Sequence, residues 1–380
     1  MENIIGFVFG GKSAEREISI VTMLQIKNML TGEQNFVPKF IYYDENGIDF
    51  YLIDSAKMTG EFFANFRYSD VTKIYFSAGG EVYKSKGKIK RKLFTISAAV
   101  NCCHGGDGED GALAGFMKTL GIPFSSFNHT ALGVSMDKNL FRLVMLGAGI
   151  SVAPGFAFSK NEYDSNPSDI IKKVCKLKFP VIVKPNASGS SLGVNKAESV
   201  ADFTEYVALA FLYDNDVVVE KFIQNKQEFN VAVVGSKSEG YIVSEVDEVN
   251  CSGEVFSFDD KYINNDNSPC EKGKLKMENA KRNLPANINN SLKELIQKTG
   301  KEIALLLGIC GIARIDFMFD RKAKKLYVIE CNSVPGSLAS YFFLGTSLEK
   351  GNLIKKLVSI AQNEQKNQID YAKQYNPKIF

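Results

Sequence analysis

At 380 residues, with 45% hydrophobic and 23% charged side chains, the chain has the composition of a soluble globular protein, and roughly 100–200 residues per domain gives two or three domains. Lysine and arginine number 46 against 43 aspartates and glutamates, and a net charge of +3 gives no basis for a nucleic-acid partner. No apolar run approaches the roughly 18 residues that span a bilayer, no basic-then-apolar leader opens the chain, and the seven cysteines lack C-x-x-C spacing, so the expectation is a cytoplasmic protein with reduced core thiols and no membrane partner.

The run "IIGFVFGG" predicts a strand that stops at Gly10 and Gly11. "SAEREISIVTMLQIKNML" then predicts a helix with Ser13 as N-cap and Glu15 and Glu17 in its first turn. Residues 36–95 alternate apolar and polar side chains, with turn signals at "DENG" and "AGGE", and read as short strands around a small helical patch. "AAVNCCHGG" is a buried strand running into a Gly-rich loop, and "GALAGFMKTLGIPF" is a helix closed by Gly121 and Pro123. Further helices are predicted over 136–149, 160–176 and 290–308, with strands at "FPVIVKP" and "DVVVEKFI". "GIARIDFMFD" and "KLYVIECN" form a hairpin across a charged turn, and the polar tail from about 362 is a helix or a frayed end.

Two constellations carry chemistry. "VKPNASGSSLG", residues 183–193, sets Lys184 ahead of a small hydroxyl-rich loop whose backbone N–H groups can cradle an oxyanion. The lysine precedes the glycines, unlike a Walker loop, and a plain Gly/Ser turn between strands is the alternative. In the hairpin, Arg314, Asp316, Glu330 and Asn332 stand at period-two positions and share one face. Two carboxylates and an amide suit hard-oxygen ligation of Mg²⁺ beside nucleotide phosphates; a solvated outer face is the alternative.

Taken in order, "GGKSAEREIS", "HGGDGEDGALAG", "SMDKNLFR", "FPVIVKPNASGSSLGV", "VVVEKFIQNKQEFNVAV", "FSFDDKYIN", "ARIDFMF" and "ECNSVPGS" resemble the ATP-grasp superfamily and, within it, the D-alanine–D-alanine ligases over almost the whole chain. The resemblance implies an α/β, three-domain ATP-grasp fold: a doubly wound N-terminal domain over 1–125, a central lid-bearing domain over 126–222 and a C-terminal catalytic domain over 223–380. It implies an ATP-dependent ligase that joins two D-alanines through an acyl phosphate for peptidoglycan precursor synthesis. An ATP-grasp ligase with a different acceptor, or a silent nucleotide-binding homologue, are the alternatives. A homodimer is also implied.

The same resemblance assigns roles. ATP would be held by Lys138, Lys184 and Ser191 at the phosphates, by Glu220, Lys221 and Ile223 at the adenine, and by Glu228 at the ribose. Asp316, Glu330 and Asn332 would hold two Mg²⁺ ions, for which Mn²⁺ can substitute. Glu15 would hold the first substrate's ammonium, with Ser190 and Tyr262 linked to it, while His104 would lie near that substrate's carboxylate. Lys261 would face the transferred phosphate, and Arg314 with the Gly336 N–H would stabilise the tetrahedral intermediate. After Gly336 the text "SLASYFF" departs from the family's usual Thr and Ser. Direct counting puts Tyr341 at the expected serine, and a one-residue shift restores Ser340 as the contact to the second substrate.

Overall fold

The computed structural model describes residues 2–30, 35–86, 89–249 and 282–367. Ile4–Gly10 is buried at all seven positions, as a continuous apolar run must be when it lies in the middle of a sheet covered on both faces. It pairs in parallel with Val37–Tyr43 on one side and Ala98–Asn101 on the other, and the latter pairs in parallel with Phe124–Ser125. Beyond Val37–Tyr43 the sheet continues as an antiparallel meander through Phe50–Ile53, Thr72–Ser77, Glu81–Lys86 and Ile89–Thr95, eight strands in all. Exposed Lys90, Arg91 and Lys92 on the last strand keep that open edge from pairing with another chain.

The chain leaves Ile4–Gly10 to build one side of this sheet and later returns to build the other. A crevice therefore opens at the carboxyl ends of Ile4–Gly10 and Ala98–Asn101, the usual ligand position in open α/β sheets. Gly10, at φ +96°, makes the turn there, where a Cβ would collide with the Tyr43 carbonyl oxygen.

The helix after it runs Arg16–Met29 with Glu15 at the cap, not Ser13. The Ser13 hydroxyl is spent locally, accepting the Glu15 N–H at 2.9 Å, so the helix starts two residues later than expected. The helix expected over 136–149 begins only at Lys138, after a separate helix that was not expected, and the helix expected over 160–176 is broken in two. His129–Met136 and Lys138–Gly147 meet at an extended Asp137, whose carboxylate caps the Leu140 N–H at 2.7 Å. Lys160–Ser165 and Pro167–Leu177 are separated because Pro167 disfavours helical backbone at Asn166.

The second sheet is antiparallel, in the order Asn195–Ala197, Val181–Pro185, Asp216–Lys221, Gly155–Ser159. Period two sends Val181, Val183, Val217 and Val219 into the core formed by Ile170, Val174, Phe203 and Val207 of the covering helices. Ile182, Lys184 and Glu220 consequently point the other way.

The third sheet runs Arg282–Asn283, Asp247–Val249, Lys226–Ser236, Gly311–Asp320, Lys325–Asn332, with Gly240–Val243 paired on Lys226–Ser236. Asn290–Leu307 buries Ile296, Ile303 and Ala304 against one face, among Val231, Val233, Ile315 and Phe317. The final helix, Gly351–Lys366, packs Leu353, Ile354 and Leu357 into a core shared by Val100 of the first sheet and Ala232 and Val234 of the third. Among the described residues, no helix is long and apolar enough to cross a membrane.

Candidate active site

Between the three sheets lies a cavity of about 320 Å³, within the size range of small-molecule sites. Lys184 reaches it from Val181–Pro185, and its ammonium donates to Glu220 Oε2 at 2.7 Å. Arg142 donates to the other oxygen of the same carboxylate at 3.1 Å. Burial pushes the Glu220 carboxyl up, but the two cations outweigh it and hold the pKa below the usual value. Lys138, first residue of its helix, donates to the carbonyls of Ser188 and, at 3.4 Å, Asn186, which places it under the Gly/Ser loop. Burial lowers its pKa.

Ser190 and Ser191 both adopt left-handed backbone in that loop, a conformation costing about 1–2 kcal/mol per non-glycine residue. The Ser190 hydroxyl donates to Glu15 Oε1, tying the loop to the first sheet's crevice. Glu228 lines the cavity and accepts from Lys226 at 2.6 Å. Lys221 and Ile223 do not line it: the Lys221 ammonium turns away to the carbonyls of Lys178 (2.6 Å) and Phe179 (3.3 Å), and Ile223 is buried.

The crevice contributes Glu15, His104 and Glu109. Burial, reinforced by Arg314, lowers the His104 pKa to about 3, so its ring is neutral. Thr22 Oγ1 sits 2.8 Å from His104 Nε2 and also accepts the Ser337 N–H at 3.3 Å. Glu109 accepts the Gly105 N–H at 2.8 Å on one oxygen, and the Ser333 hydroxyl and Val334 N–H at 2.9 Å on the other. Burial, then the nearby Glu15 charge, raises its pKa to about 7. It links the His104 loop to the end of Lys325–Asn332.

A register shift between Asp316 and Phe317 sets the third contribution. Phe317 pairs with Val328, which without the shift would put Ile329 opposite Asp316; the bulge puts Glu330 there, and Asn332 opposite Arg314. All four line the cavity. Arg314 grips Asp316 with two parallel bonds, Nε to Oδ1 at 2.7 Å and Nη2 to Oδ2 at 2.8 Å, and the Asn332 amide adds one at 3.1 Å. Gly336 lines the cavity next along the chain, and Ser337, Leu338 and Ala339 then form a left-handed turn. Ser340 is buried outside the lining, and the Tyr341 ring packs on Phe342 at 4.6 Å. Lys261 and Tyr262 lie outside the described residues.

Among the described residues, no group of three or more His, Cys, Asp or Glu could hold a metal by itself. Asp316, Glu330 and Asn332 supply two carboxylates and an amide on one face, a donor set that fits a hard divalent ion completing its shell with phosphate oxygens.

Residues 4–126 match the family model for the D-ala D-ala ligase N-terminus, and residues 144–361 that for the D-ala D-ala ligase C-terminus. The chain belongs to the D-alanine–D-alanine ligase family. It is 33% identical to the D-alanine–D-alanine ligase of Nitratiruptor sp. over 88% of both chains. A solved D-alanine–D-alanine ligase from Helicobacter pylori superposes with a TM-score of 0.72 at 27% identity, covering 95% of this chain and 98% of that one. The enzyme from Coxiella burnetii, 23% identical, shares the fold at a TM-score of 0.80 over 98% of both. Sequence reading of this family member missed Thr22, Glu109 and Arg142. Ser19, Thr22 and Gln25, three apart in the otherwise apolar stretch 18–26 of that helix, were the available signal for the first.

Proposed function

We propose that this chain is an ATP-dependent D-alanine–D-alanine ligase, forming D-alanyl-D-alanine, ADP and phosphate for cell-wall precursor synthesis. The observation that carries the reading is one cavity lined together by Lys138, Lys184, Glu15, His104, Arg314 and Gly336. Lys138 and Lys184 would neutralise charge on the ATP phosphates, with Ser190 and Ser191 in the loop above them. Glu15 would hold the ammonium of the first D-alanine, while the neutral His104 ring hydrogen-bonds near its carboxylate. That carboxylate attacks the γ-phosphorus, ADP leaves, and the acyl phosphate forms. The amine of the second D-alanine, having lost a proton, attacks the acyl carbon, and phosphate leaves.

Arg314 and the Gly336 N–H would stabilise the oxyanion of the tetrahedral intermediate, and the closed loop would exclude the water that hydrolyses acyl phosphates. Asp316, Glu330 and Asn332 would hold Mg²⁺, which when bound offsets charge on the phosphate oxygens. Lys221 and Ile223 would meet the adenine through the backbone of the linker, since the Lys221 side chain is turned away. The division into domains at 125/126 and 222/223, a cytoplasmic location and a homodimer belong to the same reading.

One observation favours a second reading for the acceptor alone. The segment after Gly336 buries Ser340 away from the cavity, which suits an acceptor D-amino acid other than D-alanine. Phosphate release with ATP and Mg²⁺ across a panel of D-amino and D-hydroxy acids, with mass spectrometry of the products, tests both. Phosphate release dependent on D-alanine, with dipeptide product, supports the main reading; release that ignores every added acid would overturn it.

A further inference from the structure

Arg142 and Glu220 form a buried arrangement whose consequence reaches the cavity. Lys138 and Arg142 stand one turn apart on the same face of Lys138–Gly147, so the helix that sets one lysine under the Gly/Ser loop also presents a guanidinium to the second sheet. Arg142 Nη1 donates to the Ala153 carbonyl at 2.7 Å and to Glu220 Oε1 at 3.1 Å. Lys184 Nζ donates to Glu220 Oε2 at 2.7 Å. Arg142, Glu220 and Lys184 side chains are only 6%, 14% and 8% exposed. Arg142 does not line the cavity, whereas Glu220 and Lys184 do.

A guanidinium buried in this way is expensive, and Arg142 Nε has no hydrogen-bond partner among the described residues. An apolar side chain of similar length would fill the same space at lower cost. What the guanidinium changes is the charge seen by Lys184. With Glu220 as its only neighbour, the ammonium would be neutralised one to one, and an incoming phosphate would have to compete with a full carboxylate. With Arg142 on the other oxygen, the trio carries a net positive charge and the carboxylate is shared.

We infer that Arg142 is a positioning residue for nucleotide binding: it holds Glu220 by one oxygen so that Lys184 is aimed into the cavity with charge left over for a polyphosphate. The inference rests on the reading of the cavity as an ATP site. Arg142 stands outside the cavity lining and acts through Glu220.

The test is equilibrium binding of ATP with Mg²⁺ by titration calorimetry, without D-alanine, on the whole chain, alongside melting of the unliganded proteins. Arg142→Met should weaken ATP binding roughly tenfold, an effect typical of charges sharing one network, and Arg142→Lys should fall between it and the wild type. In a Glu220→Gln background Arg142→Met should change ATP affinity little relative to Glu220→Gln alone, because Arg142 acts through the Glu220 carboxylate. A purely structural tie makes Arg142→Met cost the same roughly tenfold in either background, and that result overturns the inference. If Arg142→Met fails to fold, Arg142→Lys decides: ATP affinity matching wild type with Glu220 present overturns it. Normal ATP binding by Arg142→Met also overturns it while leaving the nucleotide reading intact. Failure of the wild type to bind ATP would overturn both.

Discussion

Thr22→Val removes one hydroxyl from the helix Arg16–Met29 and keeps its shape. In the wild type that oxygen, fully buried, meets His104 Nε2 at 2.8 Å and accepts the Ser337 N–H at 3.3 Å. Both partners are themselves buried, so valine strands two polar groups. Each stranded group costs about 1–3 kcal/mol, and the longer Ser337 contact falls at the low end, giving about 2–4 kcal/mol in total. Burying a methyl in place of the hydroxyl returns about 1 kcal/mol, leaving a net loss of about 1–3 kcal/mol. Unfolding entropy of about 0.8 kcal/mol/K for a chain of this length puts the fall in melting temperature at about 1–4 °C. Because Thr22 fixes His104 on one side and the segment after Gly336 on the other, KM for D-alanine should rise while ATP affinity stays at the wild-type value. Thermal melting, ATP calorimetry and separate KM values for the two D-alanine sites check this. Melting unchanged from wild type with unchanged KM values at both sites would refute the reasoning.

His104 is depressed to about 3 in the folded protein, against about 6.5 for a free histidine. Between these values the unfolded chain binds more protons than the folded one, so stability rises with pH across that window and is lost as pH falls from 6.5 towards 3. The slope is at most about 1.4 kcal/mol per pH unit. Urea unfolding of wild type and His104→Gln between pH 4.5 and 6.5 should show a shallower dependence in the variant; equal slopes would count against a buried neutral imidazole. Glu330→Gln removes charge from a half-buried strand end without removing volume, so it should abolish product formation at saturating Mg²⁺ with melting close to wild type. Near-normal turnover would rule out a metal-holding Glu330. Ser340, buried outside the cavity lining, should tolerate alanine with KM at the second D-alanine site unchanged, whereas a rise of about tenfold to a hundredfold there would place its hydroxyl on the acceptor carboxylate. No change at either site would show that the carboxylate is held elsewhere.

Much of the architecture was legible because it depends on local periodicity. The continuous apolar run Ile4–Gly10, the amphipathic stretch Asn290–Leu307 and the hairpin Gly311–Asp320 with Lys325–Asn332 each show their type in a short window. Cap chemistry was partly legible. Asp137 as a cap and Pro167 as a breaker are in plain text, yet the pattern suggested a helix start at 136 and an unbroken helix over 160–176. Sequence order also carried the family resemblance, which period and composition alone would not have supplied.

What only the tertiary structure decided are relations between residues far apart in the chain. Simple alternation within each strand puts Arg314 and Asp316 on one face and Glu330 and Asn332 on one face, but it does not set how the two strands register. The bulge at Asp316/Phe317 does, and without it Ile329 and Cys331 would stand opposite. Nothing local marks Arg142 as a partner of Glu220, 78 residues away, or Thr22 as the support of His104, 82 residues away. These pairings follow from how helices pack on sheets. The sequence by itself determined which segments are strands and helices and which side chains could do chemistry, because these depend on neighbours within a few residues. Only the fold decided which of those side chains meet, because burial and Coulomb interaction act through space, with no memory of distance along the chain.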